Sequence, residues 1–407
     1  MYALELYEAM QTLGEFEAIF LARIGSDVLT QRRPHPGTPF SSVDGDPNQY
    51  FFFTETAQFD SFYMTLRDKD AYTIHFNEFL LAHQPDVVHF QHTHYLGFDL
   101  IRQTKNTLPN AIIVYTLHEY MPICHHHGYM IRTPSQKQEL CHRASPRRCH
   151  ECFPEISPQA FFMRQRFIQS HFSLVDRFLA PSHFLLERYV EWGIPKEKIS
   201  FMENGRRLVR RSPGAEARQP RNRLGFFGQF SYFKGVHIVL EAMKILGQEE
   251  CRAHLWLHGA NIELQSEKFQ SSFKALVEAS EENVSLVGRY DHTALARLMA
   301  NIDWVVVPSV WWENSPLVIQ EAFFYGRPVI CGDVGGMAEK VVDGKNGLHF
   351  RIGDPESLAQ TIRQAVSSPD LWEKLHKGIT KVQDVEDSAK ELTRIYRATL
   401  ERSGVEA

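Results

Sequence analysis

The chain has 407 residues, 43% of them hydrophobic, enough to bury a sizeable core and, at the usual domain size, to fill two domains. A formal net charge of −5 leaves no global basic field on which counterion release from a nucleic-acid backbone can act, which excludes nucleic acid as a partner. Glu5 and Glu8 interrupt the opening residues and no later stretch offers about eighteen uncharged apolar residues, so a signal peptide and a spanning helix are excluded and a cytoplasmic protein is expected.

In chain order, Ala3, Leu6, Tyr7 and Met10 form a helical stripe, so the chain opens inside a helix, whereas a doubly wound domain ordinarily opens on a strand. The expectation is that the first strand of the N-terminal domain and its glycine-bearing loop are missing; an unusual sheet lacking that strand is the other reading. Short β-rich runs follow at 16–22, 49–54, 86–90, 111–117, 177–180 and 198–202, alternating with helical patterns at 71–84, 98–107, 158–172 and 183–192. The last is capped by Ser182 and stopped by Gly193. Such alternation predicts βαβ units on a parallel sheet, a Rossmann-like domain over 1–203 carrying a Cys/His-rich insert at 120–153.

Residues 204–223 break the pattern with Asn204-Gly205, Pro213-Gly214 and seven arginines, a composition suited to an exposed interdomain linker; contact with an anionic membrane at the inner face of the plasma membrane is the alternative for those arginines. The alternation then restarts as a second Rossmann-like domain over 224–383, with strands at 224–227, 254–258, 284–287, 304–307 and 328–331 and a helix at 236–246. Ala389, Leu392, Ile395, Tyr396 and Leu400 recur at helical spacing within 384–407, a C-terminal helix free to pack back on the N-terminal domain.

The most informative stretch runs from Pro308 to Ala322, directly after the strand at 304–307, where a parallel sheet presents its ligand. Ser315 suits an N-cap and Pro316 a first helical residue, which leaves the N–H groups of Leu317 and Val318 pointing out as an anion site, beside Asn314. Glu313 precedes this helix and Glu321 lies about two turns inside it, one placed for sugar hydroxyls and the other for ribose hydroxyls. In isolation the pair reads as a loop charge and an ordinary helix residue; its flanks argue otherwise. Gly332-Asp333-Val334-Gly335-Gly336 forms a second flexible loop, and Asp343-Gly344-Lys345-Asn346-Gly347 a turn.

The run E-N-S-P-L-V-I-Q-E-A-F-F-Y-G-R-P-V-I through G-G-M-A-E-K-V-V-D-G-K-N-G-L resembles the donor-binding signature of the retaining GT-B glycosyltransferases of family four. The resemblance extends to Gly228-Gln229-Phe230-Ser231-Tyr232-Phe233-Lys234-Gly235, similar to the family's glycine-rich loop and phosphate-binding lysine. It implies a GT-B fold, two Rossmann-like domains facing a cleft, with Lys234 on the diphosphate of a nucleoside diphosphate-sugar. Many members have an arginine where this chain has Gln229. By the same resemblance Gly288 and Arg289 lie at the nucleotide base, with a structural ion pair the other reading of Arg289. Thr116-Leu117-His118-Glu119 resembles the family's His-Asp pair, with Glu119 in place of the commoner Asp, and makes His118 the reaction centre together with Glu313. The implied chemistry is transfer with retention, the leaving phosphate helping to deprotonate the acceptor, with no cofactor or divalent ion for the transfer step. The acceptor is expected to be a glycan or lipid-linked molecule of cell-surface polysaccharide or glycolipid synthesis. A catalytically silent sugar-nucleotide-binding or metal-regulated scaffold is the alternative from another class.

Two further groups stand out. Cys124, Cys141, Cys149 and Cys152 fall in a polar stretch with little apolar material, and four thiolates there can close a tetrahedral structural zinc site; reduced loop cysteines and an iron–sulfur cluster are the competing readings. His89, His92 and His94, with Tyr95, at and after the strand at 86–90, line the acceptor side or are ordinary polar loop residues.

Overall fold

A computed structural model describes residues 2–25, 38–43, 45–134, 139–209, 220–368 and 370–404. The chain divides into two compact units, one of Met1–Gly205 with Asp384–Ala407 and the other of Arg206–Gln383.

In the second unit, six strands form one sheet in the spatial order Val284–Gly288, His254–Ala260, Arg223–Gln229, Trp304–Val307, Val329–Gly332, Gly347–Phe350. All neighbours are parallel. Numbered along the chain this is 3-2-1-4-5-6, the dinucleotide-binding order, whose direction reverses between Arg223–Gln229 and Trp304–Val307. The central strand Trp304–Val307 is buried along its whole length, as a parallel strand covered on both faces must be. One apolar cluster joins it to the helices Val236–Gln248 and Pro355–Ser367, and a second joins it to Leu317–Phe324.

In the first unit, Ile199–Phe201, Arg177–Ala180, Ile112–Thr116 and Val87–Phe90 form a four-stranded parallel sheet. The two earlier strands do not join it as the alternation implied. Phe20–Gly25 pairs in parallel with Asp46–Thr54, and Phe40–Val43, which carried no expectation, adds to the latter antiparallel in a separate three-stranded sheet. The opening helix Tyr2–Leu13 packs Tyr2, Leu6, Ala9 and Met10 against Val385, Ala389, Leu392, Tyr396 and Leu400 of the last helix, Val385–Ser403, and both rest on Ile112, Val114 and Leu179 of the sheet. The terminal helix thus belongs to the first unit.

The arginine-rich connection is not solvated throughout. Arg206 and Arg221 are buried, and the Arg221 guanidinium lies 3.7 Å from the Trp372 ring centroid while pairing with Asp303 at 3.4 Å and Glu373 at 3.2 Å. Planar guanidinium groups tolerate such burial because they stack and pair at once. Arg210, Arg211, Arg218 and Pro213-Gly214 lie outside the described residues. A Cβ on Gly205 would stand 2.0 Å from the Asp384 carbonyl oxygen, and its N–H donates to Ser388 Oγ at 2.9 Å, so the Asn204-Gly205 pair serves a close crossing of two chain segments. No helix among the described residues is long and apolar enough to cross a membrane.

Candidate functional site

Two loops of the second unit leave the carboxyl ends of the strands that flank the order reversal, 230–235 after the first and 308–316 after the fourth. They are stitched together. The Val310 N–H donates to the Phe233 carbonyl at 3.0 Å, and a Cβ on Gly235, where φ is +70°, would lie 1.8 Å from the Pro308 carbonyl oxygen. Only glycine permits that approach. Across this seam Lys234 Nζ donates to Glu313 Oε1 at 2.6 Å and sits 5.6 Å from the Trp311 ring centroid. Glu313 is buried, and the same Oε1 accepts from Ser309 Oγ at 2.8 Å and Trp311 Nε1 at 3.0 Å. Lys234 keeps 34% of its side chain exposed. A carboxylate so held by three donors has a fixed position, while its cation retains access to solvent and hence to an anionic ligand.

Where the sequence suggested a flexible loop, Gly335 and Gly336 open the helix Gly335–Lys340, which closes on the same place, with Gly336 N–H donating to the Glu313 carbonyl at 2.8 Å and a Cβ at Gly336 falling 1.6 Å from the Asn314 carbonyl oxygen. The helix that follows Glu313 begins one residue later than the sequence suggested. Pro316, at φ −61° and ψ 115°, is the N-cap of Leu317–Phe324, and its carbonyl accepts the first turn's bond from Ile319 N–H at 3.1 Å. Ser315 is therefore not the cap; its Oγ is buried and makes no hydrogen bond among the described residues. The amides of Leu317 and Val318 keep the positions of the first helical turn, where N–H groups have no intrahelical acceptor.

Glu321 is buried deeper in that helix, with Arg206 Nη2 at 3.3 Å and His292 Nε2 at 3.1 Å from its Oε1. Neither partner was legible as a site residue: Arg206 looked like one of a run of linker arginines, and His292 sits in no recognisable motif. Gly288 has φ +88° with open space where a Cβ would be, and Arg289 reaches Asn261 Oδ1 at 3.3 Å on the surface. Gln229 closes its strand, exposed.

In the first unit His118 lies past the end of the strand Ile112–Thr116, its Nε2 2.9 Å from Gln91 Oε1 and its ring edge-on to Tyr2. Burial, with a further contribution from His92, lowers its pKa to about 3, so the imidazole is neutral at ordinary pH. His92 Nε2 is 3.3 Å from Glu119 Oε1; burial pulls its pKa down, but the hydrogen bond and charge of Glu119 outweigh it and leave His92 raised. His94 donates its backbone N–H to His92 Nδ1 at 2.9 Å and packs on Tyr95, which adopts φ +62° under the Arg23 guanidinium. Thus His92 meets Glu119 directly, His94 packs against His92, and Tyr95 against His94.

The four insert cysteines do come together, lining one cavity with His125, His126 and Phe153, all as free thiols. Among the described residues, no group of three or more His, Cys, Asp or Glu side chains is set to hold a metal ion, the expected zinc ligands Cys124, Cys141, Cys149 and Cys152 included. Burial raises Cys124 to about 12 and Cys149 to about 11, which keeps their thiols protonated. The insert is also less polar than its composition suggested. Tyr120, Ile123, Met130 and Ile131 are buried, and the buried Arg164 guanidinium donates to the carbonyls of Phe62, Pro122 and Met121 at 2.6–2.7 Å, tying the insert to the unit.

A dinucleotide-type sheet with a cation, a held carboxylate and a helix N-terminus at its order reversal defines a class of proteins that grip phosphorylated ligands by their anionic end. Comparison with known proteins narrows the class. Residues 2–210 match the family described as Glycosyltransferase Family 4, and residues 221–368 match Glycosyl transferases group 1. The chain belongs to Glycosyltransferase Family 4. Among solved structures it is similar to sucrose-phosphate synthase from Thermosynechococcus elongatus, at TM-score 0.71 and 18% identity over 98% of this chain and 93% of that one. It is also similar to Anabaena HepE in complex with UDP and glucose, at TM-score 0.58 and 18% identity over 86% of each. The fold is GT-B. A glycogen synthase of Mycobacterium tuberculosis is 30% identical over 156 residues, 38% of this chain and 36% of that enzyme, so the chain spans about a third of the length of that curated relative.

Proposed function

We propose that the protein transfers a sugar from a nucleoside diphosphate-sugar to a glycan or lipid-linked acceptor, with retention of configuration. The observation that carries this reading is the Lys234–Glu313 pair at 2.6 Å, set where the sheet order reverses and followed directly by the helix Leu317–Phe324. A diphosphate brought there meets an ammonium and the free amides of a helix N-terminus, two groups that stabilise charge on a leaving phosphate. Glu313, relieved of part of its pairing as Lys234 turns to phosphate, accepts sugar hydroxyls; Asn314, Ser315 and Pro316 shape that pocket wall. Gly228, Gln229, Gly288 and Arg289 border the nucleotide, and the Arg206-braced Glu321 takes the ribose hydroxyls.

His118 contacts the transferring sugar as a neutral imidazole, and His92, His94 and Tyr95 face the acceptor. The leaving phosphate, on the same face as the attacking hydroxyl, takes the acceptor proton, so no side-chain nucleophile is required. The UDP and glucose named with HepE and the glycogen synthase relative support a nucleotide-sugar donor. Action at the cytoplasmic face of a membrane, in polysaccharide or glycolipid assembly, fits a lipid-linked acceptor.

The test is incubation with a panel of nucleoside diphosphate-sugars and an acceptor mixture, scoring nucleoside diphosphate release and the anomeric configuration of the product by proton NMR. Release with a retained anomer is expected. Tight binding of the donor with no release from any combination would replace transfer by a silent binding module, and an inverted anomer would overturn the mechanism.

A further inference from the structure

Four side chains of the first unit form a continuous polar chain that ends on His118. Tyr396, on the terminal helix Val385–Ser403, places its hydroxyl 2.6 Å from His89 Nδ1, and His89 Nε2 is 2.7 Å from Thr116 Oγ1. The amide nitrogen of Gln91 lies 3.4 Å from His89 Nδ1 and 3.3 Å from its Nε2, while the amide oxygen of Gln91 lies 2.9 Å from His118 Nε2.

The in-plane lone-pair and N–H directions of an imidazole diverge, so an atom equidistant from both nitrogens lies on neither. Both nitrogens of His89 already have close partners. The Gln91 NH2 group therefore rests on the imidazole face of His89, which attracts an N–H and repels a carbonyl oxygen, and this sets the amide with its nitrogen to His89 and its oxygen to His118. A carbonyl oxygen only accepts, so His118 Nε2 carries the proton and Nδ1 the lone pair.

We propose that Gln91, and through His89 also Tyr396, are positioning residues that lock His118 as the neutral Nε2–H tautomer. The proposal rests on the reading that His118 contacts the transferring sugar. Glycosyl transfer develops positive charge on the sugar ring, which an imidazolium would oppose and a neutral imidazole with its lone pair at Nδ1 does not. The arrangement makes the last helix of the chain part of the reaction centre, through Tyr396.

The test combines NMR and kinetics on the full chain. In protein labelled with ¹⁵N-histidine, with His118 assigned by its loss in His118→Asn, the ring nitrogens are expected to report Nε2–H. Gln91→Leu is expected to shift that signal toward a tautomer mixture and to lower kcat about tenfold, with the donor KM changed less than about twofold. Gln91→Glu retains an acceptor oxygen and is expected to restore the Nε2–H signal, while its carboxylate raises the His118 pKa, so that kcat recovers in part only at pH above that value. Tyr396→Phe, which keeps the apolar packing, is expected to lower kcat about threefold. An Nδ1–H signal in the parent protein, or an unchanged tautomer and kcat in Gln91→Leu, would overturn the proposal. If no donor is turned over, the transferase reading fails by itself, and the tautomer measurement still decides whether Gln91 and Tyr396 fix His118.

Discussion

Lys234 and Glu313 join two loops of the second unit through one ion pair, on which the proposed donor site also rests. Glu313 is buried with three donors on one oxygen, so Glu313→Gln keeps the shape but turns an acceptor toward Lys234 that no longer matches its charge. Transfer is expected to fall about 100-fold, comparable to removal of one fixed electrostatic group from a transition state, with near-ultraviolet circular dichroism unchanged. Full activity in this variant would remove Glu313 from the site. Arg206 is a structural counterpart. Its Nη2 braces the buried Glu321 at 3.3 Å, and Arg206→Ala leaves that carboxylate with His292 as its charge partner among the described residues. Breaking a buried pair by removing one partner typically costs about 3–5 kcal/mol, so the melting transition of the second unit should drop by several degrees. An unchanged transition would show that the pair is dispensable.

Among the elements, glycines decide how closely loops approach. Gly336→Ala would set a methyl group 1.6 Å from the Asn314 carbonyl oxygen and force the Glu313–Asn314 loop outward. A loss of about 1–3 kcal/mol or more is expected, with a raised donor KM because the displaced loop carries Glu313. Gly247, inside the helix Val236–Gln248, has nothing nearer than 3.4 Å, and Gly247→Ala should be neutral or gain about 0.5–1 kcal/mol from helix propensity. Equal effects of the two in thermal unfolding and donor titration would argue that general backbone strain, and not loop contact, governs both. The terminal helix has the same dependence on local contact: Leu392, 1% exposed, packs with Tyr2, Leu6 and Met10. Leu392→Ala should cost about 2–5 kcal/mol in the first unit, read as a lower denaturation midpoint.

For the whole molecule, histidines set the acid limit. His118 and His89 in the first unit have pKa values lowered to about 3, and His237 and His258 in the second to about 4, all chiefly by burial. The unfolded chain binds these protons near pH 6.5 and the folded one does not, so both units should lose stability as pH falls from about 6.5 toward 4. His92 has the opposite sign: its raised pKa contributes stability below the unfolded value that is lost as pH rises through the folded one. With His94, His125, His126, His171 and His254 lowered as well, nine histidines against one predict a falling melting temperature on acidification, and a flat or rising profile over that window would contradict the assignment of neutral buried imidazoles.

The sequence by itself determined the second unit and the loops after its first and fourth strands. A run of buried parallel strands leaves an unbroken apolar pattern, and loops that cradle an anion leave glycines, a lysine and a helix start at fixed spacing, all local properties of the chain. The pairing of Lys234 with Glu313 was not local, but both ends sat in legible motifs. Only the tertiary structure decided the rest. It moved the first two strands onto a sheet of their own, because which strands pair is settled by register and burial and not by alternation. It turned Arg206 and Arg221 from solvated linker charges into buried partners of carboxylates, and it ordered the cysteine insert around Arg164 with protonated thiols. It also brought Tyr396 to His89 across 307 positions of sequence, a contact no window along the chain could show, because it exists only once the last helix has packed against the first.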